Sequence, residues 1–376
     1  MNGSRRPKVV HMTSVHDAND TRITQKECAT LASEGFDVAL VAPGTSASLP
    51  TGVRHRSVQA PRNRFERFTK TMFDVYRAAR EERADIYHFH DPELIAAGLA
   101  LRLRGARVVF DVHEDVPRDI ETKPWLPGPL RPIASAVATV VLRGAQRCFD
   151  GIVSATPSIA RAFDHPRSIV VRNYPRLEEL ISGEQRAAFE TRPKIAIYLG
   201  SIGVLRGVEQ SVTAMADPRM PPDARLLLAG GFESETLRAH MESIPGWERV
   251  EAIGKVARSA IPSLLARAQM GLVVFQPAPN HDYAMPTKFF EYMAAGLPVI
   301  ASSLLREYRE IVERYECGIL VDARDSQEIA SAMCRLFENP AEARAMGERG
   351  RHAVFGRYEW ASEARNLVAF YREMTA

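Results

Sequence analysis

Short apolar runs rich in valine and isoleucine alternate along the chain with segments whose apolar residues recur at helical spacing. In the first half the runs predict seven strands, at Lys8–Ser14, Asp37–Pro43, Arg54–Val58, Asp85–His90, Arg107–His113, Asp150–Ala155 and Ser168–Asn173. Between them lie helical patterns at Thr24–Glu34, Arg64–Glu82 and Glu93–Leu103. Continuous apolar strands separated by helices are typical of a parallel sheet that is covered on both faces.

The same alternation restarts in the second half. It predicts five further strands, at Lys194–Ile202, Arg225–Gly230, Gly271–Phe275, Pro298–Ser302 and Gly318–Val321. A chain of 376 residues exceeds the size of about 250–300 residues at which a single core stops growing, so we expect an α/β protein with two tandem doubly wound domains. The predicted domains cover residues 1–175 and 190–357, joined by a polar linker. A terminal helix, 358–376, is expected to pack back onto the first domain.

Composition narrows the class of protein. The chain is 45% hydrophobic and 25% charged, with 49 basic and 46 acidic residues and a net charge of +3, which is typical of a globular enzyme and argues against nucleic acid as the partner. The four cysteines form no CxxC pair that would indicate a metal site or a disulfide framework. There is neither a signal-like start nor a run of 18 apolar residues, so a cytoplasmic location is predicted.

Basic residues are concentrated in one part of the first half. Between positions 54 and 80 only Glu66 and Asp74 offset a set of eight cations, namely Arg54, Arg56, Arg62, Arg64, Arg67, Lys70, Arg77 and Arg80. This pattern fits either a solvated helix face or a surface for anionic lipid or a phosphorylated substrate. The segment Trp125–Ile133 leads into an apolar helix that ends at Arg143 and Arg147, which fits either a membrane interface or core packing. Peripheral contact with the inner face of an anionic membrane is therefore an alternative to a purely cytoplasmic protein.

A candidate anion site follows the predicted strand Gly271–Phe275. Pro286 suits the first position of a helix, because its fixed φ matches the helix and its missing N–H is not needed there. The N–H groups of Thr287, Lys288 and Phe289 then lack partners within the helix, and together with the helix dipole they favour a bound anion. Lys288 adds a full charge, and Glu291 lies one turn further on, within reach of ribose hydroxyls. The alternative is an ordinary helix start with a solvated lysine.

Glycines follow several other predicted strands of the second half. Gly200 and Gly203 form a loop that ends in Arg206, a residue that can bind phosphate directly. Gly230 follows the next strand, while Gly254 and Val256 lie where backbone could contact a base. Because ligands of open α/β sheets bind at the carboxyl ends of the strands, these segments are expected to line one nucleotide site.

These motifs resemble those of the retaining glycosyltransferases of family 4 over nearly the full chain. The most specific run is Pro286–Lys288 with Glu291–Ile300, and the first half adds His11–Ser14, Asp20–Ile23, Lys26–Glu27, Asp85–Asp91 and Asp111–Glu114. The resemblance implies the GT-B fold, in which two Rossmann-like domains face a central cleft. It also implies transfer of a sugar from a nucleoside diphosphate-sugar, with UDP or GDP, to a hydroxyl of a lipid-linked or growing surface glycan. No cofactor is expected.

The resemblance also implies roles for individual residues. Glu291 matches a glutamate that binds ribose, Arg206 a basic residue that neutralises the diphosphate, and His113 a histidine that contacts the donor sugar. The residues Tyr283, Met285, Pro286 and Thr287 are expected to line the same nucleotide-sugar site. Two departures from the family pattern are Tyr283, where a first glutamate is expected, and Ser201, where a second basic residue is common. Lys288 is expected to supply the missing charge.

Acceptor contacts are expected at the other domain. The loop after the first strand carries His16, Asp20 and Arg22, although Asp20 could instead cap the following helix. His90 is expected to line the cleft. His88, His90 and Asp91 could together bind zinc, but no third ligand at supporting spacing is evident, so a cleft lining is favoured.

The predicted mechanism requires no metal. Arg206, Lys288 and the helix N-terminus would stabilise the charge that develops on the leaving diphosphate, which is the catalytic role assigned to these cations beside His113. Two alternative functions remain open: a nucleotide-sugar 2-epimerase on the same fold, and a catalytically silent partner of an active transferase. A nicotinamide oxidoreductase is disfavoured because no GxGxxG opens the first sheet.

Overall fold

The computed structural model describes residues 5–45, 49–122, 126–180, 188–278, 281 and 285–376. The described chain forms two compact units, Met1–Asn173 together with Trp360–Ala376, and Tyr174–Glu359. The predicted site residue Tyr283, and Trp125 of the predicted interface segment, lie outside the described residues.

The first unit contains a parallel sheet of seven described strands. They are β1 (Lys8–Met12), β2 (Asp37–Pro43), β3 (Val53–Val58), β4 (Ile86–Phe89), β5 (Arg107–Val112), β6 (Gly151–Ser154) and β7 (Ser168–Val170). Their order is β3-β2-β1-β4-β5-β6-β7, with every neighbouring pair parallel. The sequence placed these strands correctly but made several of them too long, because the polar residues after each carboxyl end turn into loops.

Helices cover both faces of this sheet. Those described before the second unit are α1 (Ala29–Ser33, after a π-helical turn Ile23–Cys28), α2 (Arg64–Glu66, continued through a π-helical turn Arg67–Thr71), α3 (Met72–Glu81), α4 (Ile95–Arg102), α5 (Val116–Thr122), α6 (Arg131–Gln146) and α7 (Pro157–Ala160). Single 3-10 turns lie at Pro92–Leu94 and Gly128–Leu130. α3, α4 and α6 share one apolar cluster with the sheet, while α1 belongs to the cluster on the other face.

The second unit repeats this architecture with six described strands. They are β8 (Ile195–Leu199), β9 (Arg225–Ala229), β10 (Val250–Ala252), β11 (Met270–Val273), β12 (Val299–Ser302) and β13 (Gly318–Val321), in the order β10-β9-β8-β11-β12-β13 and all parallel. The edge strand β10 was not predicted, because its three residues, Val-Glu-Ala, form no apolar run and are largely exposed. The prediction of two Rossmann-like parallel sheets is otherwise confirmed.

Seven longer helices are described in the second unit, and one more follows it. They are α8 (Val208–Ala214), α9 (Glu235–Glu242), α10 (Ile261–Arg267), α11 (Thr287–Ala294), α12 (Arg306–Tyr315), α13 (Ser326–Glu338), α14 (Pro340–Arg357) and finally α15 (Trp360–Thr375). Single 3-10 turns lie at Leu177–Glu179, Phe189–Thr191, Val204–Arg206, Trp247–Arg249 and Arg258–Ala260. No helix among the described residues is both long and apolar enough to cross a bilayer.

The last helix, α15, packs on the first unit. Leu367, Phe370 and Tyr371 join the apolar cluster of α1 and the sheet. Trp360 Nε1 donates to Thr30 Oγ1 at 2.9 Å, and Glu363 accepts from the backbone N–H of Arg172 at 3.0 Å. These contacts tie the end of the chain to the unit in which it began.

Strand order reverses at one point in each sheet. In the first unit, β1 is followed by β2 on one side and, after β3, by β4 on the other; β8, β9 and β11 have the same relation in the second unit. At such a point the helices leave in opposite directions and open a crevice at the carboxyl ends of the strands, where ligands of open α/β sheets bind. We therefore expect the predicted site residues to lie at these two crevices.

Candidate active site

The loop after β8 is built for close backbone packing. Gly200 has φ +110°, a conformation that favours glycine. A Cβ at Gly230, which follows β9, would lie 1.7 Å from the carbonyl oxygen of Gly200, and one at Gly203 would lie 2.1 Å from the Glu233 carboxylate. The N–H of Gly200 also donates to Ala229 at 2.9 Å. The structure thus brings the predicted glycines Gly200, Gly203 and Gly230 together at the edge of the sheet.

Two cations lie between the ends of β8 and β11. Lys288 Nζ is 3.7 Å from the ring centroid of Tyr198 and 5.4 Å from that of Phe275, while the Arg206 guanidinium lies 4.7 Å from the Phe275 ring. The N–H of Gln276 donates to the carbonyl of Leu205 at 3.0 Å and so joins the two loops that carry the cations. Both basic side chains therefore converge on the crevice where the strand order reverses.

The environment of Lys288 disfavours its charge. Burial lowers the pKa of the ammonium well below its usual value, and the nearby Arg206 charge lowers it further, against a smaller opposing effect of Glu291. Gly200 makes room for this side chain, since a Cβ there would lie 3.1 Å from Lys288 Nζ. A buried lysine beside an arginine gains most from an anion that binds both.

The start of α11 differs from the prediction in one detail. The helix begins at Thr287, and Pro286 is the residue before it, with ψ 126°. The N–H of Phe289 donates to the carbonyl of Pro286 at 3.1 Å, so it is not an open donor as predicted. Met285 is partly buried against the core. The helix start still points at the crevice, with fewer backbone donors than the sequence indicated.

Glu291 is held by a partner that the sequence analysis missed. Its Oε1 accepts from Arg258 Nη1 at 2.5 Å, and Arg258 also pairs with Glu179 at 3.2 Å. Glu291 is only 3% exposed, so Arg258 gives this buried carboxylate an ion-pair partner. No spacing rule links residues 258 and 291, because they meet only through the fold.

The remaining predicted nucleotide contacts lie further along the edge. Gly254, with φ +71°, follows β10, and Val256 packs against the rim of the core. β10 is separated from β8 by β9, so these residues lie two strands from the crevice that holds Lys288. The structure therefore places Gly254 and Val256 beside the crevice that holds Lys288 and not within it.

In the first unit, polar residues after β1 and β4 form hydrogen bonds with one another. Asp91 accepts from Thr13 Oγ1 and from the N–H of Ser14, both at 2.7 Å. His16 lies 3.2 Å from Asp20 and 3.6 Å from Asp91. Burial alone would lower the pKa of His16, but the hydrogen bond to Asp20 and the charges of Asp91, Asp20 and Glu114 together outweigh it and raise that pKa. The carboxylates at the mouth of this crevice therefore favour the charged form of His16.

Asp20 caps the following turn, which is one of the two functions that the sequence allowed, and its contact with the acceptor stays a prediction. Its Oδ1 accepts from the N–H groups of Arg22 and Ile23, each at 2.8 Å, as a helix cap does. Its Oδ2 faces His16. Although burial would raise it, the pKa of Asp20 is held well below its usual value, chiefly by the bond to His16.

Asp111, at the end of β5, is the centre of a buried polar network. Its Oδ2 lies 3.1 Å from His113 Nε2 and 3.4 Å from His90 Nδ1, and both its oxygens accept from Arg22. Burial alone would raise the pKa of Asp111, but Arg22 and then His113 outweigh it and hold that pKa well below its usual value. His113 Nε2 thus faces the Asp111 carboxylate, and it also lies 3.0 Å from His90 Nδ1.

Two predicted acceptor contacts, Arg22 and His90, are placed where a substrate cannot reach them. Arg22 is 5% exposed, and its guanidinium is engaged by Asp111, Glu27 and the Val171 carbonyl. His90 is 3% exposed and lies between His11, at 2.9 Å, and His113, at 3.0 Å. A side chain whose polar atoms are all buried against partners supports its neighbours instead of binding ligand, so both predictions are corrected to positioning roles.

The histidine pair His88 and His90 has different partners from those predicted for zinc. Asp91 points away to Thr13 and Ser14, whereas donor atoms of His88, His90, Asp111 and Glu27 all lie within 4.8 Å of one another. Burial, together with the Asp111 charge, raises the pKa of Glu27 well above its usual value. The Arg22 guanidinium lies 3.0 Å from both Asp111 and Glu27, and its positive charge opposes a metal ion there.

Each of the two units matches a known protein family. Residues 183–353 match the family described as "Glycosyl transferases group 1", and residues 21–171 match the "Glycosyl transferase 4-like domain". An MMP alpha-(1->4)-mannosyltransferase of Mycolicibacterium hassiacum is 26% identical over 80% of this chain and 74% of its own. A GDP-mannose-dependent alpha-(1-6)-phosphatidylinositol monomannoside mannosyltransferase of Mycobacterium tuberculosis is 30% identical over 48% of each chain.

A solved structure agrees with the fold. Sucrose-phosphate synthase from Thermosynechococcus elongatus superimposes with a TM-score of 0.78 over 99% of both chains, at 19% identity. The two family matches together span most of the chain, one on each unit. With the same strand order in both sheets and the cation-bearing crevice in the second, they lead to one assignment: the chain belongs to the group 1, family 4 glycosyltransferases of the GT-B fold.

Proposed function

We propose that this glycosyltransferase transfers a sugar, with retention and without a metal ion, from UDP- or GDP-sugar to a hydroxyl of a lipid-linked or growing glycan. The observation that carries the proposal is the convergence of Arg206 and Lys288 on the crevice between β8 and β11. Two cations beside a glycine loop suit a diphosphate, which carries two negative phosphoryl groups.

The geometry suggests how the leaving group is stabilised. As the bond from the sugar to the diphosphate breaks, negative charge grows on the phosphate oxygen, and Arg206 and Lys288, both beside Phe275, would stabilise it there. Proton uptake by Lys288, or retention of its proton, is favoured once the anion binds, because the anion offsets the burial that lowers its pKa. These cations provide the electrostatic role that a divalent metal would otherwise supply.

Ribose binding is assigned to Glu291. Arg258 engages Oε1 of this carboxylate, so ribose hydroxyls would donate to Oε2. The same ion pair fixes the orientation of the side chain before the ligand arrives, which reduces the entropy cost of binding. Gly254 and Val256, two strands away, would then lie near the base.

His113 is assigned to the donor sugar or the acceptor hydroxyl. With Nε2–H donating to Asp111, Nδ1 would accept a hydrogen bond from a hydroxyl. His16 and Asp20, at the neighbouring strand end, are proposed acceptor contacts. The mannosyltransferase relative that acts on a phosphatidylinositol mannoside supports a lipid-linked acceptor, and its dependence on GDP-mannose supports a GDP-sugar as one donor.

A donor screen followed by product analysis tests the proposal. A UDP- or GDP-sugar should raise the melting temperature, because it binds only the native state. Chelator-treated protein should then transfer the sugar, and nuclear magnetic resonance should show the same anomeric configuration in product and donor. Inversion would reject retention, loss of transfer on chelation would reject metal independence, and no shift with any nucleoside diphosphate-sugar would reject the donor class.

A further inference from the structure

The outer face of α6 is apolar, although it lies away from the core. Ser135, Leu142 and Ala145 point into the unit. On the opposite side of the helix an exposed stripe runs at helical spacing, made by Leu130, Ile133, Val137, Val140 and Val141. Val140 is 72% exposed and Ile133 is 62% exposed. A helix with a second apolar stripe facing outward indicates a surface that is covered in use.

The charges on α6 itself have one sign. From Leu126 to Phe149 the chain contains three arginines, Arg131, Arg143 and Arg147, and no acidic residue. Arg143 and Arg147 are exposed and lie one turn apart beside the stripe. An apolar stripe flanked by cations matches the boundary of an anionic bilayer, where acyl chains meet phosphate headgroups.

A second element on the same face of the sheet has the same character. The stretch that begins with α2 exposes three aromatic rings, Phe65, Phe68 and Phe73, of which Phe65 is 76% exposed. Arg62, Lys70 and Arg77 are exposed around them. α3 and α6 pack into one apolar cluster under the sheet, so both elements present their outer surfaces on one side of the first unit.

We infer that α6 and the Phe65–Phe73 stretch together form a surface that binds an anionic lipid bilayer. Insertion of the aliphatic and aromatic side chains supplies apolar burial, and the cations supply attraction to phosphate headgroups. A second copy of this chain is a poorer occupant, because two such surfaces would bring arginines against arginines with no carboxylate on α6 to pair them. The inference concerns where the enzyme is held and stands apart from the identity of its donor.

Co-sedimentation of the full chain with vesicles tests this surface. Vesicles of phosphatidylglycerol and phosphatidylcholine in equal parts should bind the protein, and vesicles of phosphatidylcholine alone should bind it much less. Added salt should weaken the binding. Equal binding to both vesicle types, or none to either, would overturn the inference.

Matched variants locate the surface on α6. The pair Ile133→Ser with Val140→Ser should weaken vesicle binding about tenfold, and Arg143→Glu or Arg147→Glu should each weaken it about fivefold or more. The control Phe355→Ser changes an aromatic residue that is 38% exposed on the second unit and should bind as the parent does. Arg306→Glu, an exposed cation of that unit, serves as the charge control.

Two further readouts keep the result interpretable. All these positions are exposed, so melting temperature and nucleotide affinity should stay at parent values in every variant. Light scattering without vesicles should show one molecular mass for the parent and for Val140→Ser. A dimer that Val140→Ser dissociates would assign the stripe to self-association and reject the bilayer, as would unchanged vesicle binding by the α6 variants.

Discussion

The two crevices share a strand order but differ in how charge is arranged. In the second unit, the basic side chains of Arg206 and Lys288 lie on aromatic rings, where a bound anion would balance their charge. In the first unit, Asp111 already has its cation in Arg22, and the surrounding imidazoles are oriented by that pair. Under the proposed function one scaffold supports two tasks, because the residues at the strand ends would bind a charged ligand in one crevice and orient a reacting group in the other.

The largest expected effect comes from breaking the ion pair between Asp111 and Arg22 in the first unit. Asp111→Asn removes the charge of one of the two carboxylates that pair with the buried Arg22 and should lower the free energy of unfolding by about 3–5 kcal/mol. Denaturant unfolding measures this loss. Asp223→Asn removes an exposed carboxylate paired with Lys194 and should cost less than about 1 kcal/mol. An equal cost for both substitutions would show that Asp111 is not the centre of the network.

A steric test addresses the other crevice. A Cβ at Gly230 would lie 1.7 Å from the Gly200 carbonyl, so Gly230→Ala must move one of the two loops. We expect a loss of stability of about 1–3 kcal/mol and a clear loss of nucleotide affinity, measured by denaturation and calorimetry. Gly356→Ala, with nothing within 4 Å of the added methyl, should leave both at parent values or raise stability slightly. Parent-like nucleotide affinity in Gly230→Ala would show that the loop after β9 is not part of the nucleotide site.

The affinity for nucleotide should depend on pH through the protonation of Lys288. Lys288 has a lowered pKa in the free protein, and a bound diphosphate should raise that pKa. Affinity should therefore be highest below the free pKa and fall as pH rises through it, by at most about tenfold per pH unit, until the bound-state pKa is passed. Calorimetry in buffers of different ionisation enthalpy should show proton uptake on binding in that window. Lys288→Met should remove the uptake, and uptake that persists in this variant would contradict the assignment.

The smallest expected effect concerns the tie between α15 and the histidine network. Tyr371 OH lies 2.5 Å from His88 Nδ1. Tyr371→Phe removes this hydrogen bond while keeping the ring, so the unfolding free energy should fall by about 0.5–1.5 kcal/mol with donor affinity unchanged. Tyr76→Phe, a partly buried ring whose hydroxyl meets the exposed Arg104, is the control and should cost less. Equal losses would show that the buried contact adds nothing.

The fold could be predicted from sequence because its signal is local. Apolar runs of strand length between helical patterns were enough to predict two parallel sheets, while the phosphate site that the run around Lys288 indicates stays a prediction. β10 escaped prediction, since a three-residue polar edge strand leaves no periodic signal.

The partners of individual side chains were harder to predict than the elements that carry them. Arg258 meets Glu291, and Arg22 meets Asp111, only after the chain folds, since the two pairs are separated by 33 and 89 positions in the sequence respectively. The sequence could therefore name Arg22 and His90 as polar residues at strand ends but could not show that they are buried. Exposure depends on what the rest of the unit packs over them, and no local pattern encodes that.

The most direct test of the account compares one residue from each crevice by calorimetric titration with UDP and GDP. Lys288→Met should weaken binding of the preferred nucleotide by about tenfold to a hundredfold, because a charged hydrogen bond contributes about 1.5–3 kcal/mol. His113→Ala should bind that nucleotide as the parent does while turnover falls. Parent-like affinity in Lys288→Met, or a loss of nucleotide affinity in His113→Ala as large as that expected for Lys288→Met, would contradict the division of labour between the two units.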